Sequence, residues 1–281
     1  MSIKNKGIVV FLLFAFGLAW IPLLIQYVLG MQPVGRDATL VDYVVFTLLN
    51  LPTAFAPAIG ALVVRKWVTR EGWADAGLGL NLRRAWRYYL FALAYPLLLV
   101  PLTLLLAWTV GGTRPAAPAL ALTSILQLPL MALISTPIIW GEEFGWRGYL
   151  QLRLFPERPF WAAVGTGLIW GVWHYPMILL GYLFYGDPLG LILYPVNMIF
   201  TSMLYGWFRT ASGSVWTASL AHSSGNTIIT PLLGMLLPGL AWPLVWGGYR
   251  LVALAILCGW IILQPRGVPL SQARSELSRI E

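Results

Sequence analysis

The sequence predicts an all-α protein: a polytopic membrane bundle of about eight transmembrane helices, with its N- and C-termini in the cytoplasm. Hydrophobic residues make up 59% of the 281 residues and charged residues only 10%, whereas soluble domains carry about 25% charged residues. The mean hydropathy is +0.76. A soluble chain of this composition would expose aggregation-prone apolar patches, so the bilayer is its natural solvent.

Runs of about 20 mostly apolar residues define the eight predicted spans. The first span follows Lys4 and Lys6. It is too long for the core of a signal peptide and no small-residue cleavage pattern follows, so we predict a retained helix. We expect one membrane domain over residues 1–265 and a polar cytoplasmic tail over 266–281. The predicted spans cover about residues 8–29, 41–64, 86–110, 120–152, 160–183, 189–208, 214–236 and 245–263.

The distribution of basic residues predicts the orientation. Of the 18 Lys and Arg residues, fourteen fall in segments facing one side, while Arg36, Arg114 and Arg250 face the other and Arg147 is intramembrane. The fourteen therefore mark the cytoplasmic side. The basic segment from Arg65 to Arg87 predicts contact with anionic membrane lipid rather than nucleic acid. The predicted location is the cell membrane, as a multi-pass protein of the bacterial inner membrane.

Ionisable side chains at membrane depth are costly and usually functional. The fourth predicted span contains Glu142, Glu143 and Arg147. Glu143 and Arg147 are four residues apart and share a helix face, which predicts an ion pair. Glu142 is rotated by about 100° and is freer to exchange a proton. A purely structural ion pair would leave the second glutamate unexplained. Three glycines here leave room for close helix contact or for substrate: Gly141, Gly145 and Gly148.

Two further spans contain polar side chains at a similar depth. His174 lies in the fifth span, and His222 and Asn226 lie four residues apart in the seventh. The alternatives are a hydrogen-bonded core histidine and a polar contact between helices. At 1.5 Å per residue, the depths from the cytoplasmic side are roughly 21 Å for His174, 12–18 Å for the His222 pair and 15 Å for the glutamates. This shared depth predicts one common site. Cys258 is expected to be a buried helix residue.

A carboxylate, two imidazoles, an amide and an arginine can activate water and stabilise an oxyanion, as peptide-bond hydrolysis requires. Other protease patterns are absent: the sequence contains neither His-Glu-x-x-His nor Gly-x-Gly-Asp. A Ser–His site is a minor alternative, judged on geometry rather than on sequence order. It would use one of the serines near His222, which are Ser212, Ser214, Ser223 and Ser224.

The three motifs resemble those of the CAAX-protease and bacteriocin-processing (CPBP, Abi-type) family of intramembrane endopeptidases, related to the type II CAAX prenyl protease. The motifs are Glu142-Glu143-x-x-x-Arg147, an aromatic-x-x-x-His from Trp170 to His174, and His222-x-x-x-Asn226. The resemblance covers about residues 120–236. One departure is Trp170, where the family pattern more often has Phe.

The resemblance implies cleavage of a membrane-associated or lipidated peptide or protein. In one mechanism Glu142 is the general base, His174 holds the water, His222 and Asn226 stabilise the oxyanion, and Arg147 fixes Glu143. In the other, a metalloprotease mechanism, His174, His222 and Glu142 bind zinc. The metal-free version is favoured because Asn is a poor zinc ligand and an apt oxyanion donor. No cofactor is certain.

Two other classes of protein remain as alternatives. A non-catalytic scaffold or bacteriocin-immunity protein could share the fold, although the intact polar set favours catalysis. A transporter would also place ionisable residues at mid-membrane, but transporters often show an internal repeat, and none is visible in this sequence.

Overall fold

The computed structural model describes residues 2–30, 40–116, 122–181, 183, 188–241 and 244–263. Within these ranges every regular element is helical and no strand occurs. The predicted tail over residues 266–281 lies outside the described residues. The longer α-helices are α1 Ile3–Val28, α2 Leu40–Val63, α3 Leu82–Ala94, α4 Pro96–Thr109, α5 Leu122–Gly145, α6 Pro159–Trp173, α7 Tyr175–Leu179, α8 Gly190–Ser212, α9 Val215–Ser224, α10 Thr230–Leu236 and α11 Arg250–Leu263. Short helical turns also occur at Ala74–Ala76 and Gln151–Arg153.

Several helices are continued or interrupted by irregular turns. A wider π-helical turn extends α2, α5 and α9 and precedes α11. Such turns are often found at functional sites. The π-helical segments are Val64–Val68, Trp146–Leu150, Gly225–Ile229 and Val245–Tyr249.

Long apolar helices and an apolar outer surface point to an integral membrane protein. Large hydrophobic side chains on the outside of the bundle, such as Leu13, Leu105 and Ile256, are half or more exposed. In water they would form an unfavourable apolar surface. Four helical segments of the described chain are long and apolar enough to cross a membrane: Ile3–Val28, Leu48–Val68, Leu82–Thr109 and Gly190–Ser212.

The fourth predicted span is helical throughout its described part, as α5 and the π-turn that follows it, whereas the fifth, seventh and eighth are shorter or interrupted. The helix of the fifth span ends at Trp173, and in the seventh span the helix changes to a π-turn at Gly225. Gly247–Leu263 is a shorter apolar helix. The expected number of eight spans and the cytoplasmic termini therefore stay predictions.

Helix α5 lies between α2 and α9, and α6 packs along α8. Glycines make these contacts close. A Cβ on Gly145 would overlap Pro57 of α2, and one on Gly141 would lie 2.7 Å from the Ala54 carbonyl oxygen. These two glycines therefore allow helix contact, which was one of their two predicted roles. Across the α6–α8 contact, a Cβ on Gly167 would lie 2.6 Å from Ile199 Cα.

The segment after α2 is held against the bundle by ion pairs. Arg65 is buried, and its guanidinium donates to Asp75 at 2.8 Å and to the Gly148 carbonyl at 3.0 Å. Arg153 pairs with Asp75 at 3.0 Å and with Glu71 at 2.7 Å. These bonds tie the segment to the π-turn that follows α5.

Two basic residues used for the topology prediction do not behave as lipid-facing or loop charges. Arg65 is only 1% exposed and is engaged with Asp75, so the expectation of lipid contact is wrong for this residue. Arg250 begins α11, is 3% exposed and donates to the Asn197 side-chain oxygen. Both are buried because an internal acceptor compensates the desolvation of the guanidinium. Arg36 lies outside the described residues.

Candidate active site

Glu143, Arg147 and His222 form the buried centre of the candidate site. Arg147 donates to Glu143 Oε1 at 2.8 Å, which confirms the ion pair predicted from their spacing. The Nδ1 atom of His222 lies 2.8 Å from the same oxygen. Since a carboxylate oxygen accepts, Nδ1 carries the proton, and Nε2 is the nitrogen left for another partner. A carboxylate that orients a histidine in this way is a common arrangement in catalytic sites.

Helix α9 brings His222 to α5 through hydrogen bonds made by its neighbour. Ser223 donates to the Ala132 carbonyl of α5 at 2.6 Å, and its hydroxyl lies 2.5 Å from the hydroxyl of Ser135. Ser223 is fully buried. Its hydroxyl is therefore engaged in a helix contact, as is expected of a polar group between membrane helices. These contacts do not support a nucleophilic role for this serine.

Glu142 has a different partner from its sequence neighbour. Its Oε2 atom accepts a hydrogen bond from the Trp170 indole N–H at 3.0 Å. No hydrogen bond to Oε1 is seen within the described part of the chain. The indole bond therefore holds one carboxylate oxygen of Glu142 and leaves the other without a partner among the described residues.

His174 stands at the break between α6 and α7. Pro176 lies two residues later and cannot continue the α6 hydrogen-bond pattern because proline lacks an N–H. The His174 Nδ1 atom is 2.8 Å from the Trp170 carbonyl oxygen. A carbonyl only accepts, so Nδ1 carries the proton and Nε2 of the neutral ring is an acceptor.

The five residues differ in exposure in a way that separates two groups. Glu143 and Arg147 are 0% exposed, whereas Glu142 is 9%, His174 7% and His222 5% exposed. The first pair is sealed within protein. The other three are also buried but keep a small exposed fraction.

Asn226 is not part of this hydrogen-bonded group. It lies on the π-turn after α9 and its side chain is exposed. It makes no hydrogen bond to the other five predicted residues within the described ranges. The expectation that residues 222 and 226 share a face assumed a regular α-helix, and the wider π-turn changes that angular relation. Its role at the oxyanion stays a prediction.

The zinc hypothesis required His174, His222 and Glu142 to surround one point. Among the described residues, no group of three His, Cys, Asp or Glu side chains could hold a metal ion. Both histidines hold Nδ1 against an acceptor and keep Nε2 available, so the misfit lies in the placement of the three side chains and not in these bonds. The residues in place do not fit a three-ligand zinc site.

Aromatic side chains that the sequence analysis did not assign to the site enclose it. The Arg147 guanidinium carbon lies 4.2 Å from the Trp170 ring centre and 5.4 Å from that of Tyr205. The Tyr205 ring stacks on His222 at 5.3 Å. The aromatic-x-x-x-His motif marked Trp170 as an aromatic residue, but nothing in the apolar sequence around Tyr205 distinguished it.

These observations describe a helical membrane protein with a buried site of carboxylates, histidines and an arginine. The model of the family described as Type II CAAX prenyl endopeptidase Rce1-like matches residues 122–228. This match contains the three motifs and confirms the resemblance to the CAAX-protease family. It supports a peptidase role for the chain in general terms. The comparison with curated proteins finds no match.

Proposed function

We propose that the protein is an intramembrane endopeptidase in which Glu142 activates water to cleave a membrane-associated or lipidated peptide or protein. The main support for the proposal is a difference in solvent exposure among the five clustered residues. Glu143 and Arg147 are sealed, while Glu142, His174 and His222 keep an accessible edge. An ion pair to which His222 is bonded explains Glu143, Arg147 and His222, but it does not explain why a second carboxylate and a second imidazole, Glu142 and His174, lie beside them.

In the proposed reaction Glu142 takes a proton from a water molecule whose other hydrogen is held by His174 Nε2. The water oxygen bonds to the carbonyl carbon of the peptide. His222 Nε2–H and the Asn226 amide donate to the developing oxyanion. Glu142 then gives its proton to the amide nitrogen as the C–N bond breaks.

The charges of the cluster support a donor role for His222. Glu142 and Glu143 carry two negative charges when both are ionised, and Arg147 supplies one positive charge. The proposed donation from His222 Nε2 requires a proton there in addition to the one on Nδ1, and this second positive charge would make the whole group neutral. Neutral groups are far less costly in a low dielectric than groups with a net charge.

The proposal also includes the membrane location and topology of the chain. We place the chain in the bacterial inner membrane as one domain over residues 1–265, with eight spans and both termini cytoplasmic. The basic segment contacts anionic lipid through side chains that are exposed in the structure: Lys66, Arg70, Arg83, Arg84 and Arg87. Nucleic acid has no part in this proposal.

Alanine variants of the three accessible residues test the proposed function. Glu142→Ala, His174→Ala and His222→Ala are each expected to reduce cleavage by about 10²- to 10⁴-fold, the range for loss of an acid–base group. The measurement compares newly formed peptide ends in membranes of cells that express the wild type or a variant. Glu157→Gln is the matched control because Glu157 is an exposed glutamate outside the site.

Full cleavage by Glu142→Ala would contradict the proposal. If the variant also kept every cellular effect of the wild type, a non-catalytic scaffold would be favoured. Cleavage that survives a strong chelator agrees with metal-free catalysis. Cleavage that is lost to the chelator and restored by zinc would overturn that part of the proposal.

A further inference from the structure

Trp170 contacts most of the candidate site from one position. Its indole N–H donates to Glu142 at 3.0 Å. The face of its ring lies 4.2 Å from the Arg147 guanidinium carbon. Its ring centre is 5.5 Å from that of His174 and 5.1 Å from that of His222, both at steep angles. The Trp170 side chain is 1% exposed, so these contacts are made inside the protein.

We infer that Trp170 is a positioning residue for Glu142, acting through its indole N–H and in addition to the packing of its ring. This inference rests on the proposed function. The hydrogen bond holds Oε2 and fixes the rotation of the carboxylate, which leaves Oε1 to receive the proton of the water. A catalytic group that is misplaced by about 1 Å can lose about two orders of magnitude in rate.

The competing interpretation is structural. A buried indole N–H requires an acceptor, and Glu142 could merely be the group that satisfies it. The two interpretations differ in what Trp170→Phe changes. Phenylalanine keeps an aromatic ring near Arg147 and the histidines, but it removes the N–H and also reduces the size of the ring system. A structural role predicts lower stability with an unchanged reaction, whereas a positioning role predicts a slower reaction with a different pH dependence.

Trp173 provides a matched control in the same helix. It is also 1% exposed, and its indole N–H donates to the Ala15 carbonyl at 2.9 Å instead of to a carboxylate. Its ring centre lies 4.8 Å from that of His174, so both tryptophans pack against this histidine. Trp173→Phe therefore controls for that ring contact and for loss of a buried indole N–H, and it leaves Glu142 untouched. A second test variant replaces Trp170 by 3-benzothienylalanine, which keeps the bicyclic shape and exchanges the N–H for sulfur. It guards against a packing defect in Trp170→Phe.

The experiment uses the full-length protein in proteoliposomes. The wild-type protein is first incubated with detergent-extracted membrane proteins to find the peptide bond that it cleaves fastest. A synthetic peptide that contains this bond is then used as the substrate. For Trp170→Phe and for the benzothienyl variant, we expect kcat to fall roughly tenfold to a hundredfold, as for loss of a hydrogen bond to a charged group. KM should stay within about twofold, since the contact is with the catalytic group and not with bound substrate.

The pH profile gives a readout that packing alone would not move. A hydrogen bond donated to a carboxylate favours its ionised form. Without that bond the acid limb of the kcat profile should move to higher pH, by about one pH unit. Trp173→Phe should keep both the wild-type kcat and the wild-type acid limb.

Three outcomes are decisive. A slower reaction with a shifted acid limb in the Trp170 variants, but not in Trp173→Phe, supports the inference. Wild-type kcat and pH profile in either Trp170 variant that folds overturns it and leaves the proposed function intact, provided that Glu142→Gln is inactive. If wild type cuts nothing, or Glu142→Gln cuts as fast as wild type, the proposed function fails and the inference fails with it.

Discussion

Glu142 and Glu143 are adjacent in sequence, yet their surroundings suit them to different tasks. Glu143 is fully buried and is shared between Arg147 and His222. Glu142 keeps a small exposed fraction and has one partner, Trp170. Sequence spacing predicted the first arrangement because residues four apart on a helix meet. It did not predict the second, because Trp170 is 28 residues away and the contact depends on how α5 and α6 are rotated.

Glu143→Gln tests the buried ion pair at the residue scale. Loss of the carboxylate leaves Arg147 buried with an uncompensated charge, and breaking a buried pair in this way costs about 3–5 kcal/mol. The double variant Glu143→Gln with Arg147→Met removes both charges and should be more stable than the single variant. Unfolding in detergent is measured for these two variants and for Arg147→Met alone. Free-energy changes that simply add would show that the two residues do not interact.

The helices that carry the site are irregular within a few residues of it. Helix α5 becomes π-helical at Trp146, α6 ends immediately before His174, and α9 becomes π-helical at Gly225. The proline that ends α6 was visible in the sequence. The π-turns were not, because no residue type specifies them. The predicted alignment of His222 with Asn226 therefore assumed a regular helix that the structure does not have.

Gly145→Ala tests the close contact of α5 with α2. The new Cβ would lie on the Pro57 side chain and 2.6 Å from the Pro57 carbonyl oxygen, so that one helix must shift. We expect a loss of about 1–3 kcal/mol of stability, as for overpacked cores. Gly259→Ala is the matched control in α11, where a Cβ meets nothing within 4 Å. Equal stability of the two variants would contradict the packing described here.

At the scale of the whole molecule, the sequence predicted the helical class, the membrane setting and the proximity of residues from three distant motifs, although Asn226 does not join the hydrogen-bonded group. The apolar runs predicted the membrane helices, and the similar depth of the polar residues predicted a common site. The burial of Arg65 and Arg250 was not predictable from composition. A basic residue near a helix end resembles a loop charge until tertiary contacts supply an acceptor, here Asp75 for Arg65 and Asn197 for Arg250.

Asp75 links the segment after α2 to the rest of the molecule and should make stability depend on pH. Burial alone would raise the pKa of Asp75. The hydrogen bond from Arg65 and the charges of Arg153 and Arg65 outweigh burial, so the pKa lies below its usual value. The stability from Asp75 is therefore complete above pH 4, near the unfolded pKa, and is lost as pH falls through the lower folded pKa.

Asp75→Asn should lower stability by about 2 kcal/mol at pH 7, the scale of a charged hydrogen bond. The difference from wild type should shrink below about pH 4, where wild type loses the same interaction. Thermal unfolding in detergent across this range is the measurement. Glu157→Gln, at an exposed glutamate, should show no such difference. A constant gap between Asp75→Asn and wild type down to acid pH would contradict the ion-pair account.

The central claim, that Glu142 activates the hydrolytic water, is tested most directly with purified protein. Wild type and Glu142→Gln are reconstituted into separate proteoliposomes with the same extract of membrane proteins, and new peptide N-termini are counted by mass spectrometry over time. Glutamine keeps the shape and an oxygen for Trp170 but does not take up the proton. We predict steady formation of new termini with wild type and a rate lower by about 10²- to 10⁴-fold with Glu142→Gln. Equal rates for the two proteins would contradict the claim.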